Sequence, residues 1–313
     1  MALSKNFIDQ FVNVTVKAAT EASYLIGKMD KNAADQAAVD SMRTELNKID
    51  MVGKVVIGEG SLDHAPMLYT GEILGNKTGP VLDIAVDPVE GTNFVANNMP
   101  GGVAVLAIAE KNNLFNAPET YMNKIATSKI DKGLIDLDFT VEKNIKNLSD
   151  FKNKKIKDIS VCLLSRDRHK KIIETLIRLG VKIKLITDGD VTGALLVSDK
   201  KYDVDIFMGI GGGPEGVIVA SALDAMNCNF QGRFIFKNDK DKSRAKQMGI
   251  ENFEKKYEIK EIVKGDSIFC ASGITTGDII NGVKKENEFF YTETLVTHKS
   301  QNLIKKIHKK FKS

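Results

Sequence analysis

Apolar residues along this chain fall into two rhythms, and the change of rhythm predicts its elements. Over residues 4–28 they recur at helical spacing, with Phe7, Phe11, Val14 and Ala18 on one face and Ser4 in the capping position. A second stripe, Ala38, Met42 and Leu46, follows a polar loop from Asp30, and Asp35 stands where the N-cap of that helix belongs. Residues 54–57 and 103–109 are short apolar runs that read as strands. Residues 81–86 are apolar except for Asp83 and rich in β-formers, so they read as a buried strand. Pro88 is expected to end its ladder, and Gly91 to permit a tight turn.

Residues 111–150 mix short apolar runs with Lys and Asn, and a boundary is expected within 144–157. That divides the chain into residues 1–150 and 151–313. Beyond it the rhythm becomes regular. Strands at 156–164, 182–187, 204–208 and 233–236 alternate with helices at 170–179, 191–197 and 217–226, the first helix stopped by Gly180. Alternation of this kind predicts an α/β fold with an open, mainly parallel sheet and helices on both faces. In the tail, many lysines surround Leu303, Ile304, Ile307 and Phe311, which reads as a solvated helix docked by its apolar face.

Composition narrows the chemistry. A hydrophobic content of 42% with 27% charged residues is that of a soluble globular enzyme. With 45 basic against 41 acidic residues, the balance is too even to argue for nucleic acid and would not repel an anionic metabolite; no nucleic-acid partner is expected. Three scattered cysteines imply neither disulfides nor a zinc framework. With four histidines in all, a metal would be held mainly by carboxylate oxygens, which favours Mn²⁺ or Mg²⁺. Residues 1–29 are interrupted by Asp9 and Glu21, and the apolar run 217–226 is too short to span a bilayer. A cytoplasmic protein without a membrane role is expected.

Candidate chemistry gathers where strands end. Asp87 and Glu90, three residues apart and followed by Thr92, either share a divalent ion or form an Asx-type turn facing water. Glu59 stands between two glycines that would aim it outward. Arg166 and Arg168 fall at a helix start, where positive charge opposes the helix dipole unless a phosphate partners it. Asp188 and Asp190 would cap the next helix or accept hydrogen bonds from sugar hydroxyls. Gly211, Gly213 and Gly216, with Asp239 downstream, match a dinucleotide fingerprint. Glu215 in the helix's first turn counts against it, since a carboxylate there repels a pyrophosphate. The loop reads better as backbone donors for a phosphate, with Glu215 reaching a metal.

Asp87-Pro88-Val89-Glu90-Gly91-Thr92 resembles the signature of the metal-dependent, lithium-sensitive sugar phosphatases, and its Glu variant resembles class II fructose-1,6-bisphosphatase. Further blocks at 54–67, 117–126, 164–169, 186–191, 208–216 and 273–278 are similar to that family's and stand in its order. The resemblance implies a layered α/β/α/β/α sandwich with two α/β subdomains. It implies Asp35 and Glu59 on one Mn²⁺ or Mg²⁺, and Asp87, Glu90 and Glu215 on another. It also implies substrate contacts from Glu90, Gly91, Thr92, Tyr121, Arg166, Asp167, Arg168, Asp188, Gly189, Asp190 and Gly212, with Thr92, Asp87 and Glu90 in catalysis. The implied reaction is hydrolysis of fructose 1,6-bisphosphate to fructose 6-phosphate in gluconeogenesis, by a homo-oligomer (dimer or tetramer). The alternatives are a related phosphatase for sedoheptulose 1,7-bisphosphate or inositol phosphates, a dinucleotide-binding oxidoreductase, and a catalytically dead regulator. Departures lie at 97–102, at Asp167 where the family often has Pro, and in a shorter 236–245 and tail.

Overall fold

A computed structural model of the chain describes residues 3–58 and 68–312. It resolves into two compact units, one formed by Met1–Asn116 with Val263–Ser313 and one by Ala117–Ile262. The division thus differs from the expected one near residue 150. The helix at Val141–Lys152 already packs in the second unit, and the last strands return to the first. A composition shift marks where polarity changes; it carries no trace of a chain that comes back.

The first unit opens with helices α1 (Asn6–Ser23) and α2 (Lys31–Leu46), then strands β1 (Val52–Ile57), β2 (Ile73–Leu74) and β3 (Val81–Glu90). Helix α3 (Thr92–Ala96) and strand β4 (Val103–Glu110) follow. The chain then crosses the second unit through β5 (Tyr121–Thr127), α4 (Val141–Lys152), β6 (Ser160–Leu164), α5 (Lys170–Leu179), β7 (Lys182–Ile186) and α6 (Asp190–Leu195). That unit continues with β8 (Ile206–Gly212), α7 (Gly213–Ala225), β9 (Asn229–Ile235), α8 (Asp239–Gln247), β10 (Tyr257–Glu258) and α9 (Ile259–Ile262). The return consists of β11 (Ser267–Gly273), β12 (Lys284–Glu286), β13 (Phe289–His298) and β14 (Leu303–Lys312).

In the first unit the strands run in the order β12-β13-β11-β4-β3-β1-β2, with β14 also on β13. Among the described residues, only β1 and β3 are parallel within it. Helices α1 and α2 bury Phe11, Val14, Ala18, Ala38, Met42 and Leu46 against Ile84, Leu106, Ile268 and Val296. Asp30, not Asp35, caps α2: its extended backbone lets the carboxylate accept from the Ala33 N–H at 2.9 Å. The helix starts earlier than expected because Lys31 to Ala34 are themselves helix-compatible, which leaves Asp35 half-buried one turn in. The tail is a strand rather than a helix. β14 pairs with β13 along its length, alternating half-buried Ile307, Lys309 and Phe311 with exposed His308, Lys310 and Lys312.

The second unit has the strand order β10-β9-β5-β8-β6-β7. Only β6 pairs in parallel, with β7 and β8; β5, β9 and β10 are antiparallel, so the sheet is mixed rather than mainly parallel. Helices cover both faces as expected. Ile145 and Leu148 of α4 and Leu176 of α5 pack with Ile125, Val161 and Ile206 on one side. On the other, the first turn of α7 lies against Met122.

Candidate functional site

The β3 exit is built by a bulge. Asp87 faces Val105 and Glu90 faces Val103, so β3 carries one residue more than β4 across this step. Pro88 lies in the bulge, where no ladder N–H is required of it, and the strand continues past it to Glu90. The expectation that Pro88 would end the ladder is corrected accordingly. Asp87 Oδ1 accepts from the Val89 N–H at 3.1 Å, and Glu90 is buried. One oxygen of each carboxylate lies within 4.8 Å of the other, close enough to repel strongly without a cation. Gly91 turns the chain in the left-handed region at φ 82°, and Thr92 opens α3 behind it.

In the second unit, the exits of β6, β7 and β8 meet. Arg166 donates to the carbonyls of Ser165 at 3.1 Å and Thr187 at 2.5 Å, and its guanidinium is 3.7 Å from Asp188. Arg168 donates through Nε to the Ile210 carbonyl at 2.9 Å and lies over the Tyr121 ring at 4.8 Å; Lys237 approaches the same ring at 4.2 Å. Asp167 between the arginines is exposed. Gly189, at φ 80°, turns β7 into α6, where Asp190 is the first residue. Asp190 is buried and forms an ion pair with Lys124.

The glycine loop after β8 has a steric purpose. A Cβ at Gly211 would collide with the Asp190 carboxylate, and one at Gly212 with the carboxylate of Glu215. The glycines therefore make room for acids, which is the opposite of a pyrophosphate cradle. Glu215 Oε2 is buried and has no hydrogen-bond partner, and the same is true of Asp190 Oδ1. Burial lifts the Glu215 carboxyl above its ordinary value, Asp190 and Asp188 push it further, and Lys124 opposes them. A buried, unpartnered carboxylate oxygen among hard oxygen donors fits a divalent cation. Beside it a cavity of about 310 Å³ is lined by Thr120, Tyr121, Gly212, Pro214, Glu215 and Lys237, among others.

Glu59 lies outside the described residues. Of the remaining expected residues, the first unit gathers Asp87, Glu90, Gly91 and Thr92 at one strand exit. The second gathers Tyr121, Arg166, Arg168, Asp188, Gly189, Asp190, Gly212 and Glu215. Sequence reading overlooked Lys124, His169 and Lys237. Lys124 did leave a signal, since it shares a strand face with Met122 and Ala126, where a lysine has no apolar reason to be. His169 is buried, with Nδ1 at 2.7 Å from the Leu164 carbonyl and Nε2 accepting from the Ile210 N–H at 2.7 Å. Burial holds its pKa below the ordinary value, which suits that acceptor role.

The model of the family described as "Bacterial fructose-1,6-bisphosphatase, glpX-encoded" matches residues 5–311. A Prochlorococcus marinus protein named D-fructose 1,6-bisphosphatase class 2/sedoheptulose 1,7-bisphosphatase is 40% identical over 308 residues, covering 94% of this chain and 92% of its own. A Synechococcus protein of the same name is 39% identical over 321 residues, covering 95% and 92%. Among solved structures, the extragenic suppressor protein suhB from Bartonella henselae aligns at 11% identity with a TM-score of 0.35, over 63% of this chain and 73% of that one. Among the described residues, no helix is long and apolar enough to cross a membrane.

Proposed function

Because the chain belongs to the family of bacterial fructose-1,6-bisphosphatases encoded by glpX, we infer that its strand exits serve phosphatase chemistry on a sugar bisphosphate. The enzyme is a phosphoric monoester hydrolase that converts fructose 1,6-bisphosphate to fructose 6-phosphate and phosphate. The observation that carries the metal reading is the buried, unpartnered Oε2 of Glu215. On the family resemblance, Asp87, Glu90 and Glu215 would hold one divalent ion, Mn²⁺ or Mg²⁺, and Asp35 with Glu59 a second. Such an ion, when bound, neutralises phosphoryl oxygens and lowers the pKa of a bound water.

The chain's own groups do the rest. Arg166 and Arg168 contact phosphate, Arg168 being braced by Tyr121 and the Ile210 carbonyl. Asp167, the exposed acid between them, contributes at the rim. Asp188 and Asp190, on either side of the Gly189 turn, accept hydrogen bonds from sugar hydroxyls. Gly91 and Gly212 bring backbone close to the substrate, and the Thr92 hydroxyl holds the attacking water. The role is gluconeogenic, in the cytoplasm, in a dimer or tetramer. Phosphate release from fructose 1,6-bisphosphate with Mn²⁺, before and after chelation, tests this reading. Sedoheptulose 1,7-bisphosphate assayed beside it measures breadth, and a protein inert on both sugars with either metal would contradict it.

A further inference from the structure

Lys124 is 1% exposed, on the central strand β5 of the second unit. A buried ammonium is costly unless paired, and an apolar side chain of similar size is often neutral or stabilising in its place. Stability therefore does not explain why a lysine occupies this face between Met122 and Ala126. Its contacts do. The ammonium donates to Asp190 Oδ2 and to the Gly212 carbonyl, the latter at 2.8 Å. The first of these partners opens α6; the second is the N-cap of α7, three residues before Glu215. The stem matters too. A Cβ at Gly216 would lie 2.6 Å from Met122 Sδ and 3.3 Å from Lys124 Cδ, so the first turn of α7 rests directly on the lysine's methylenes.

We propose that Lys124 is the positioning residue of the site, fixing the distance between the carboxylate of Asp190 and the loop that carries Glu215. With Oδ2 committed to Lys124, Asp190 keeps Oδ1 buried, unpartnered and held in one direction for a ligand hydroxyl. The same ammonium fixes the Gly212 peptide and so the start of α7. One side chain thus registers the sugar-binding and metal-binding halves of this unit's site against each other. The proposal rests on the phosphatase reading above.

The test uses Lys124→Met, Asp190→Asn and the double variant, each purified and checked for fold by circular dichroism. Two quantities are read: KM for fructose 1,6-bisphosphate, and Mn²⁺ affinity from loss of the free-ion electron paramagnetic resonance signal. Lys124→Met is expected to weaken both by roughly 10–100-fold, the scale of losing a group that orients ligands. In KM the loss in the double variant should fall short of the two single losses combined, because both changes cut the same Lys124–Asp190 bond. The double variant also removes both charges of the pair, so it keeps the test available if Lys124→Met alone folds poorly. Folded variants with a lower melting temperature but wild-type KM and Mn²⁺ affinity would reduce Lys124 to a structural residue and overturn the proposal, as would additive losses in KM. Mn²⁺ binding needs no substrate, which separates the two failures. Wild type that binds Mn²⁺ yet leaves the bisphosphate intact contradicts the substrate reading, while the Lys124 result still stands or falls on affinity.

Discussion

The two ends of β8 each carry an acid with buried carboxylate oxygen, and the two acids are treated in opposite ways. Before the strand, buried Asp205 accepts from Lys154 at 2.8 and 2.9 Å, from the Ser160 N–H at 3.0 Å, and pairs with Lys152 at 2.9 Å. Burial pushes its carboxyl upward, but these donors outweigh it and hold it below the ordinary range. After the strand, Glu215 is half-buried, with Oε2 fully buried and unanswered, and its carboxyl is held above its ordinary value. The same strand thus shows a satisfied acid and an unsatisfied one. An acid whose every lone pair is used by the protein stabilises the fold; one kept buried and short of partners is poised for something that binds.

The largest expected effect follows from the unsatisfied end. Chelation should abolish phosphate release and Mn²⁺ or Mg²⁺ should restore it, while circular dichroism changes little because the core rests on apolar burial. Full activity after metal stripping would remove the basis of the contrast. Next in size, Thr92→Ala should lower kcat by roughly 10²-fold while Thr92→Ser keeps measurable turnover. Equal rates would make the hydroxyl no more than a local structural group. At the satisfied end, Asp205→Asn should cost about 2 kcal/mol of stability, less than the ~3–5 kcal/mol of a fully buried pair because Lys154 reaches solvent. Its Mn²⁺ dependence should match wild type; a shifted metal requirement would break the distinction between the two ends.

The smallest effect is a pH slope at His169. Its folded pKa lies below the ordinary 6.5, so its contribution to stability is complete above that value. As pH falls below it, the unfolded chain takes up a proton that the folded one resists, and stability declines toward the folded pKa. Denaturant midpoints for wild type and His169→Gln between pH 7.5 and about 5 should show a flatter profile in the variant. Parallel profiles would mean that His169 is not the neutral clamp on Ile210.

Much of this was legible in the chain itself. Strand exits were visible because short apolar runs stop at acids, arginines and glycines, so Asp87, Glu90, Arg166, Asp188 and Glu215 stood out by position alone. Strand direction was not legible. The alternation of strand and helix suggests parallel pairing, and nothing local shows that β5 and β9 run against β8. Pro88 was misleading for a similar reason, since a bulge that spares its missing N–H exists only once β4 is alongside. The tail misled through its lysines: a strand with alternate charged positions and a solvated helix differ there mainly in period. Lys124 was missed because residues 111–150 were read without placing β5, and its partner Asp190 lies 66 positions away.

The central claim is that Glu215, with its buried and unpartnered Oε2, is held for a metal. Titrating Mn²⁺ against activity for wild type and Glu215→Gln tests it most directly, since the amide keeps the shape and removes the charge. The variant should need far more Mn²⁺ and its kcat should collapse, while the metal-free variant is at least as stable as metal-free wild type. Unchanged metal dependence, with turnover intact, would contradict the account and take Glu215 out of the site.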